Sequence, residues 1–126
     1  MSKQRILIVD DSELVLVMAR DALEEAGYTV FTATNGIEAN SYIFSVNKPD
    51  LIILDVMLPM LDGNKKAKLL REKEFSREIP ILLLSSKSEN ELRCLTAEAG
   101  ADGFIRKPFS SARIVESVRE YLGKSS

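Results

Sequence analysis

The sequence predicts an α/β fold, a doubly wound sheet of five parallel strands with five helices packed on its two faces, and three observations carry the prediction. Five short apolar runs, each too brief for a helix, recur along the chain. Each is followed by a segment with helical spacing of apolar residues or a helix-boundary signal. The connections are short, and strands that alternate with helices across short connections make a parallel sheet with helices on its faces, joined by right-handed crossovers.

The elements follow in order. RILIVDD, rich in β-branched residues, reads as a strand buried on both faces. Val15, Met18, Ala19, Ala22, Leu23 and Ala26 then recur at helical spacing as an inward face, and Gly27 is the expected stop. YTVFTA is the second strand. A weaker helix is expected from Ile37 to Val46, with Ala39, Ile43 and Val46 inward and Pro49 ending it. LIILD is the third strand, Asn64 to Lys73 a third and strongly basic helix, and PILLLSS the fourth strand. Ser88 stands three residues before Glu91, the spacing of a capping box, so the next helix should run to Ala99 and stop at Gly100. GFIRK is a short fifth strand. After Pro108 a last helix places Ile114, Val115, Val118 and Leu122 on one face, with Gly123 closing it.

At 126 residues and 14.0 kDa the chain fits one domain, residues 1–126. With 45% hydrophobic and 29% charged residues and a net charge of −2, it carries the marks of neither a disordered tail, a nucleic-acid-binding surface nor a polybasic membrane patch. No apolar run approaches the roughly 18 residues of a membrane span, and no basic-then-apolar leader opens the chain, so the cytoplasm is the expected location. Cys94, the single cysteine, agrees with a reducing compartment and is read as a small packing residue on or beside a helix. Histidine is absent, so any chemistry must come from carboxylates, hydroxyls and lysine.

In an open parallel sheet the ligand site lies beyond the carboxyl ends of the strands. Asp10 and Asp11 end the first strand, Asp55 the third, Ser85 the fourth and Lys107 the fifth, so five polar residues should converge on one edge. Taken singly, each has a plain structural use: a turn or cap for an Asp, a strand-end hydrogen bond for Ser85, a solvated charge for Lys107. Together they are harder to explain, because three carboxylates in one place raise each other's pKa unless positive charge sits among them. One lysine does not neutralise three carboxylates, so the cluster predicts a cation. Oxygen ligands with room for water suit Mg²⁺ or Mn²⁺. A metal beside a carboxylate, a hydroxyl and a lysine is apparatus for a phosphoryl group, with aspartate able to attack and form an acyl phosphate.

The Asp10–Asp11 pair after ILIV, Asp55 within LIILDVMLPMLDG, Ser85 after PILLL, and GADGFIRKPF resemble the receiver domain of bacterial two-component response regulators, of the chemotaxis-regulator-like kind. The likeness runs from about Arg5 to Leu122. It implies a flavodoxin-like sheet of order 2-1-3-4-5. It implies Asp55 as phosphoacceptor, Asp10, Asp11 and Asp55 as Mg²⁺ ligands with the Met57 backbone carbonyl, and Lys107 as the lysine that pairs with Asp55 and then with the phosphoryl group. Ser85 matches the switch hydroxyl, Phe104 the switch aromatic, and the Lys107–Pro108 peptide the family's cis bond. The implied partners are a sensor histidine kinase or phosphotransfer protein upstream. Downstream is a protein target or output domain, reached through the face of the fourth helix, fifth strand and fifth helix, where Arg93, Arg106 and Arg113 lie. No direct nucleic-acid or membrane contact is implied. The resemblance makes the domain a signalling phosphoacceptor, not a turnover enzyme, that assists its own phosphorylation and dephosphorylation.

Two departures stand out. Asn40 occupies a position usually apolar, which predicts a loosely packed second helix, and NKKAKLLREKE is unusually basic, expected as a solvated face or, alternatively, a partner surface. Two rivals use similar parts. A haloacid-dehalogenase-type phosphohydrolase needs a general-acid Asp two residues after the nucleophile, where this chain has Met57. A flavodoxin-like nucleotide binder needs a glycine-rich phosphate loop after the first strand, and VDDSE has no glycine.

Overall fold

The computed structural model describes residues 3–122. Strands β1 (Arg5–Val9), β2 (Thr29–Ala33), β3 (Leu51–Asp55), β4 (Ile81–Ser85) and β5 (Gly103–Arg106) alternate with helices α1 (Glu13–Glu25), α2 (Gly36–Ile43), α3 (Gly63–Glu72), α4 (Glu89–Ala99) and α5 (Ser111–Leu122). All strand pairs are parallel and the order is β2-β1-β3-β4-β5, as expected. Among the described residues no helix is long and apolar enough to cross a membrane.

Strand alternation divides the core into two layers. Leu7, Ile52, Leu54, Ile81 and Leu83 face α2, α3 and α4, meeting Ala39, Ile43, Ala67, Leu70 and Leu92. Ile6, Ile8, Ile53, Leu82 and Leu84 face α1 and α5, meeting Leu16, Ala19, Leu23, Ile114 and Val118. Both layers cover β3 and β4, so every residue of those strands is buried. Strand β1 continues to β2 on one side and sits against β3 on the other, so the order reverses at β1/β3 and leaves a crevice beyond their carboxyl ends. Gly63 closes one wall of it. A Cβ there would collide with the Asp55 carbonyl oxygen, and only a glycine lets α3 start so close to the end of β3.

Helix boundaries show which local signals were sufficient. The Ser88–Glu91 capping box forms, and Gly100 ends α4 in the left-handed conformation, φ 71°. Helix α2 instead stops at Ile43, and Val46, expected inward, is 98% exposed. The chain leaves the helix at Phe44, whose ring packs against Phe75 with centroids 5.9 Å apart, and turns before Val46 can reach the core. On α1 the buried face is Leu16, Ala19, Ala22 and Leu23, so Leu16 replaces Met18, which is exposed. Ile114 and Val118 on α5 are buried as expected, and Gly123 lies outside the described residues. Cys94 is on α4 but exposed, so it is no packing residue.

The basic third helix is only partly a solvated face. Lys66 is buried, and its ammonium donates to Asn40 Oδ1, so the polar residue expected to loosen α2 is instead tied to α3. Arg71 donates to the carbonyls of Gly100 (2.8 Å), Arg77 (2.9 Å) and Ile79 (2.8 Å) and pairs with Asp102 at 2.7 Å.

Candidate functional site

The strand ends bring the acidic residues together. Asp10 follows β1 directly and is fully buried, its Oδ1 accepting from the Ser12 N–H at 2.8 Å. Ser12 in turn caps α1, its hydroxyl accepting from the Val15 N–H. Asp55 is the last residue of β3 and is buried, while Asp11 reaches solvent. Among the described residues, Asp10, Asp11 and Asp55 each offer a carboxylate oxygen lying within 4.8 Å of the other two. Lys107, just after β5, reaches across, with Nζ 2.8 Å from Asp10 Oδ2 and 3.4 Å from Asp55 Oδ1. The resemblance implies a lysine paired with Asp55; here the ammonium is shared, and Asp10 is the nearer partner.

The electrostatics follow from that crowding. Burial, then the Asp10 charge, push the Asp55 carboxyl from 3.8 to about 6, against the pull of Lys107 and the Met57 backbone amide. Burial depresses Lys107, but contact with Asp10 and then Asp55 outweighs it, so its pKa stands above the ordinary lysine value. Asp10 Oδ2 is buried, and Lys107 at 2.8 Å is its one charge partner among the described residues. A buried oxygen left in that state, in a cluster of three carboxylates and one ammonium with only oxygen donors, fits a hard divalent cation. The Met57 carbonyl, two residues after Asp55, accepts no backbone hydrogen bond among the described residues, while the Met57 side chain is 64% exposed.

Ser85 ends β4, buried, with its hydroxyl accepting from the Lys87 N–H at 3.0 Å. Its carbonyl accepts from the Lys107 N–H at 2.8 Å, which fixes the height of the lysine relative to β4. Lys107–Pro108 is cis, in agreement with the resemblance. Phe104 lies farther back, beside Leu83 in the β4/β5 register, half-buried against the core layer under α4. The site residues therefore form a tight group of Asp10, Asp11, Asp55 and Lys107, with Ser85 at the adjoining strand end and Phe104 behind it. The Lys87 backbone N–H, which holds the Ser85 hydroxyl, was not foreseen. The two-residue spacing of a serine side chain bonding its own following backbone is the signal that could have found it.

This arrangement agrees with the chain's relatives. Residues 6–119 match the response regulator receiver domain family. The chain is 42% identical over 122 residues to the alkaline phosphatase synthesis transcriptional regulatory protein PhoP of Bacillus subtilis, covering 97% of this chain and 50% of that protein. It thus spans about half the length of that curated relative. The chemotaxis response regulator CheY4 of Vibrio cholerae superposes with a TM-score of 0.89 at 30% identity, over 96% of this chain and 100% of that one. The receiver domain of the sensor histidine kinase PA1611 of Pseudomonas aeruginosa, solved with a magnesium ion coordinated in its active-site cleft, superposes with a TM-score of 0.85 at 28% identity, over 98% of this chain and 100% of that one. The chain belongs to the response regulator receiver family, the phosphorylated signalling switches of two-component systems. The dehalogenase-type phosphohydrolase alternative is not supported.

Proposed function

We propose that Asp55 is the residue that accepts the phosphoryl group, in a reaction that this domain assists. The observation that carries the reading is the buried carboxylate at the end of the central strand, sharing one ammonium with a second buried carboxylate. Asp10, Asp11, Asp55 and the Met57 carbonyl would hold Mg²⁺, or Mn²⁺, which when bound supplies charge to neutralise phosphoryl oxygens. Support comes from the oxygen-only donor set and from the magnesium in the cleft of the PA1611 receiver. An Asp55 carboxylate oxygen attacks the phosphorus of a phosphohistidine. The new O–P bond forms as the P–N bond breaks, and the imidazole of the donor leaves with the electron pair. Lys107 moves its charge from the carboxylates toward the transferred oxygens, and the Ser85 hydroxyl donates to one of them. Water later cleaves the acyl phosphate.

The donor in this reading is a sensor histidine kinase or phosphotransfer protein. The output partner is a protein or output domain at the α4–β5–α5 face, where Arg106 Nε already donates to the Lys87 carbonyl at 3.1 Å, joining β5 to the segment that holds Ser85. We assign the domain to the cytoplasm, as one unit over residues 1–126 with no direct nucleic-acid contact of its own. Intact mass after incubation with acetyl phosphate and Mg²⁺ tests the assignment. The parent should gain about 80 Da, one phosphoryl group on a carboxylate, and Asp55→Asn should not. An adduct that persists in Asp55→Asn overturns it.

A further inference from the structure

The side of the molecule formed by α2, α3 and residues Pro59 to Leu61 of the loop between β3 and α3 takes no part in the chemistry above, yet it is built unusually. A hollow of about 370 Å³ opens between the two helices, walled by Ile37, Phe44, Leu61 and Leu69. Its rim leaves large apolar side chains in water: Ile37 is 66% exposed and Met60 74%, with Phe44 and Leu69 also exposed. Contiguous apolar exposure of this kind marks interaction surfaces.

Two further observations concern the same hollow. Met60 holds φ 71°, the left-handed conformation that glycine or asparagine adopts at least cost. The backbone therefore carries strain at a residue that borders the opening and whose side chain is exposed. At the floor lies Lys66, only 8% exposed, with the neutral Asn40 amide as its hydrogen-bond acceptor. No carboxylate lies within ion-pair distance of it among the described residues. Burial, and next the Lys73 charge at the same opening, push its pKa below the ordinary lysine value. An ammonium in these surroundings gains from an incoming carboxylate. The helix agrees in sign. Although the chain is net acidic, α3 carries three lysines and one arginine against one glutamate.

We infer that the α2–α3 groove is a docking surface for an acidic amphipathic helix of a partner protein, whose apolar face covers Ile37, Met60 and Leu69 and whose carboxylates meet Lys66 and Lys73. A helix is favoured over a small carboxylate because four large apolar side chains, Ile37, Phe44, Met60 and Leu69, are exposed around the hollow, and helix-in-groove recognition covers such a set of anchors with one apolar helix face. The proposal is independent of the phosphoryl site.

The test uses the full chain and a synthetic helical peptide of roughly 18 residues, about five turns, with Leu and Phe on one face and Glu flanking them. Its charge-reversed isomer, Lys for Glu, is the comparison, and side-chain NMR reports where each binds. The acidic peptide should shift the Ile37, Met60 and Leu69 methyls and the Lys66 ε-methylene. The isomer should bind at least about tenfold more weakly, as should the acidic peptide to Lys66→Met. Met60→Gly should also weaken binding while leaving the urea midpoint equal or higher, because glycine relieves the strained φ, so its loss cannot be ascribed to unfolding. Acetyl phosphate labelling should be unchanged in Met60→Gly, which separates this proposal from the assignment of Asp55. Four results overturn it: no binding up to about 1 mM, equal binding of the two peptides, shifts confined to another face, or the same methyls responding to decanoate or to protein concentration alone. The last two responses would make the groove a small-molecule pocket or a self-association face.

Discussion

At the carboxyl end of the sheet two buried carboxylates of a three-carboxylate cluster share one ammonium, and at the opposite end one guanidinium is shared by three carbonyls and a carboxylate. The second arrangement is saturated. Arg71 uses Nε and both terminal nitrogens, and Asp102 Oδ2 accepts from Arg71 and also from the Ile81 N–H at 2.8 Å. It joins α3, β4 and the α4–β5 turn into one rigid corner. The first arrangement is left short of positive charge, with the one Lys107 ammonium divided between Asp10 and Asp55 and Asp55 pushed up to about 6. Charge is thus used in two ways, spent on structure where every group has a partner and held ready for a ligand where groups must share one.

The largest effect is expected at the saturated end. Arg71→Ala would leave three carbonyls and Asp102 without their donor, and it should lower the unfolding free energy by about 3 to 4 kcal/mol in urea. Phosphorylation by acetyl phosphate should survive at temperatures where the variant is folded, because the corner lies at the far edge of the sheet. A loss of under about 0.5 kcal/mol, the level of an ordinary surface change, would show that water replaces the guanidinium and that saturation is not what holds this end.

At the charge-poor end the sign reverses, and removing a charge should stabilise. The folded pKa of Asp55, about 6, lies above its ordinary 3.8. The folded state therefore binds the proton more tightly, and stability falls as pH rises between those values. The cost is absent below the unfolded pKa and complete above the folded one, amounting to roughly 2 to 3 kcal/mol for a shift of this size. In EDTA, Asp55→Asn should gain on the parent between pH 4 and pH 7.5, and Mg²⁺ should stabilise the parent more than the variant. A stability difference that is the same at both pH values would mean that the carboxylate is not strained by its neighbours.

These two ends also mark what a sequence can reveal. The convergence of Asp10, Asp11, Asp55 and Lys107 was legible, because strand ends in a parallel sheet share one edge and each residue follows an apolar run that announces its strand. The Arg71 corner was not, since its partners lie on two other segments, the α3–β4 loop and the α4–β5 turn, and nothing local distinguishes that arginine from the solvated lysines around it. Lys66 was hidden for the same reason: its burial and its Asn40 partner depend on a different helix, 26 residues away in sequence. Val46 and Met18 were misplaced because periodicity gives a helix face but not where the helix ends or how it is rotated, and tertiary contacts at Phe44 and Leu16 decide both.

The smallest change in the resting protein, and the one that tests how the charge-poor end communicates, is Ser85→Ala. In the resting state the Ser85 hydroxyl accepts from the Lys87 N–H, a bond worth about 1 kcal/mol. When a phosphoryl group forms on Asp55, the hydroxyl can instead donate to a charged oxygen, which is worth about 1.5 to 3 kcal/mol and shifts a two-state balance roughly ten- to a hundredfold. On the proposed switch, moving Ser85 would free space toward β5, where Phe104 is already half-buried against the core and has no hydroxyl to keep it in water. Its outer side borders a hollow of about 670 Å³ between α4 and α5 that Arg93, Arg106 and Arg113 also line, so an inward turn of the ring reshapes the face assigned to output. Amide spectra with and without beryllofluoride and Mg²⁺ should then differ between parent and Ser85→Ala. Both should respond around Asp55, but the variant should lose most of the shifts at Phe104 and along α4. Identical shift patterns in the two proteins would show that the Ser85 hydroxyl carries no signal to the α4–β5–α5 face.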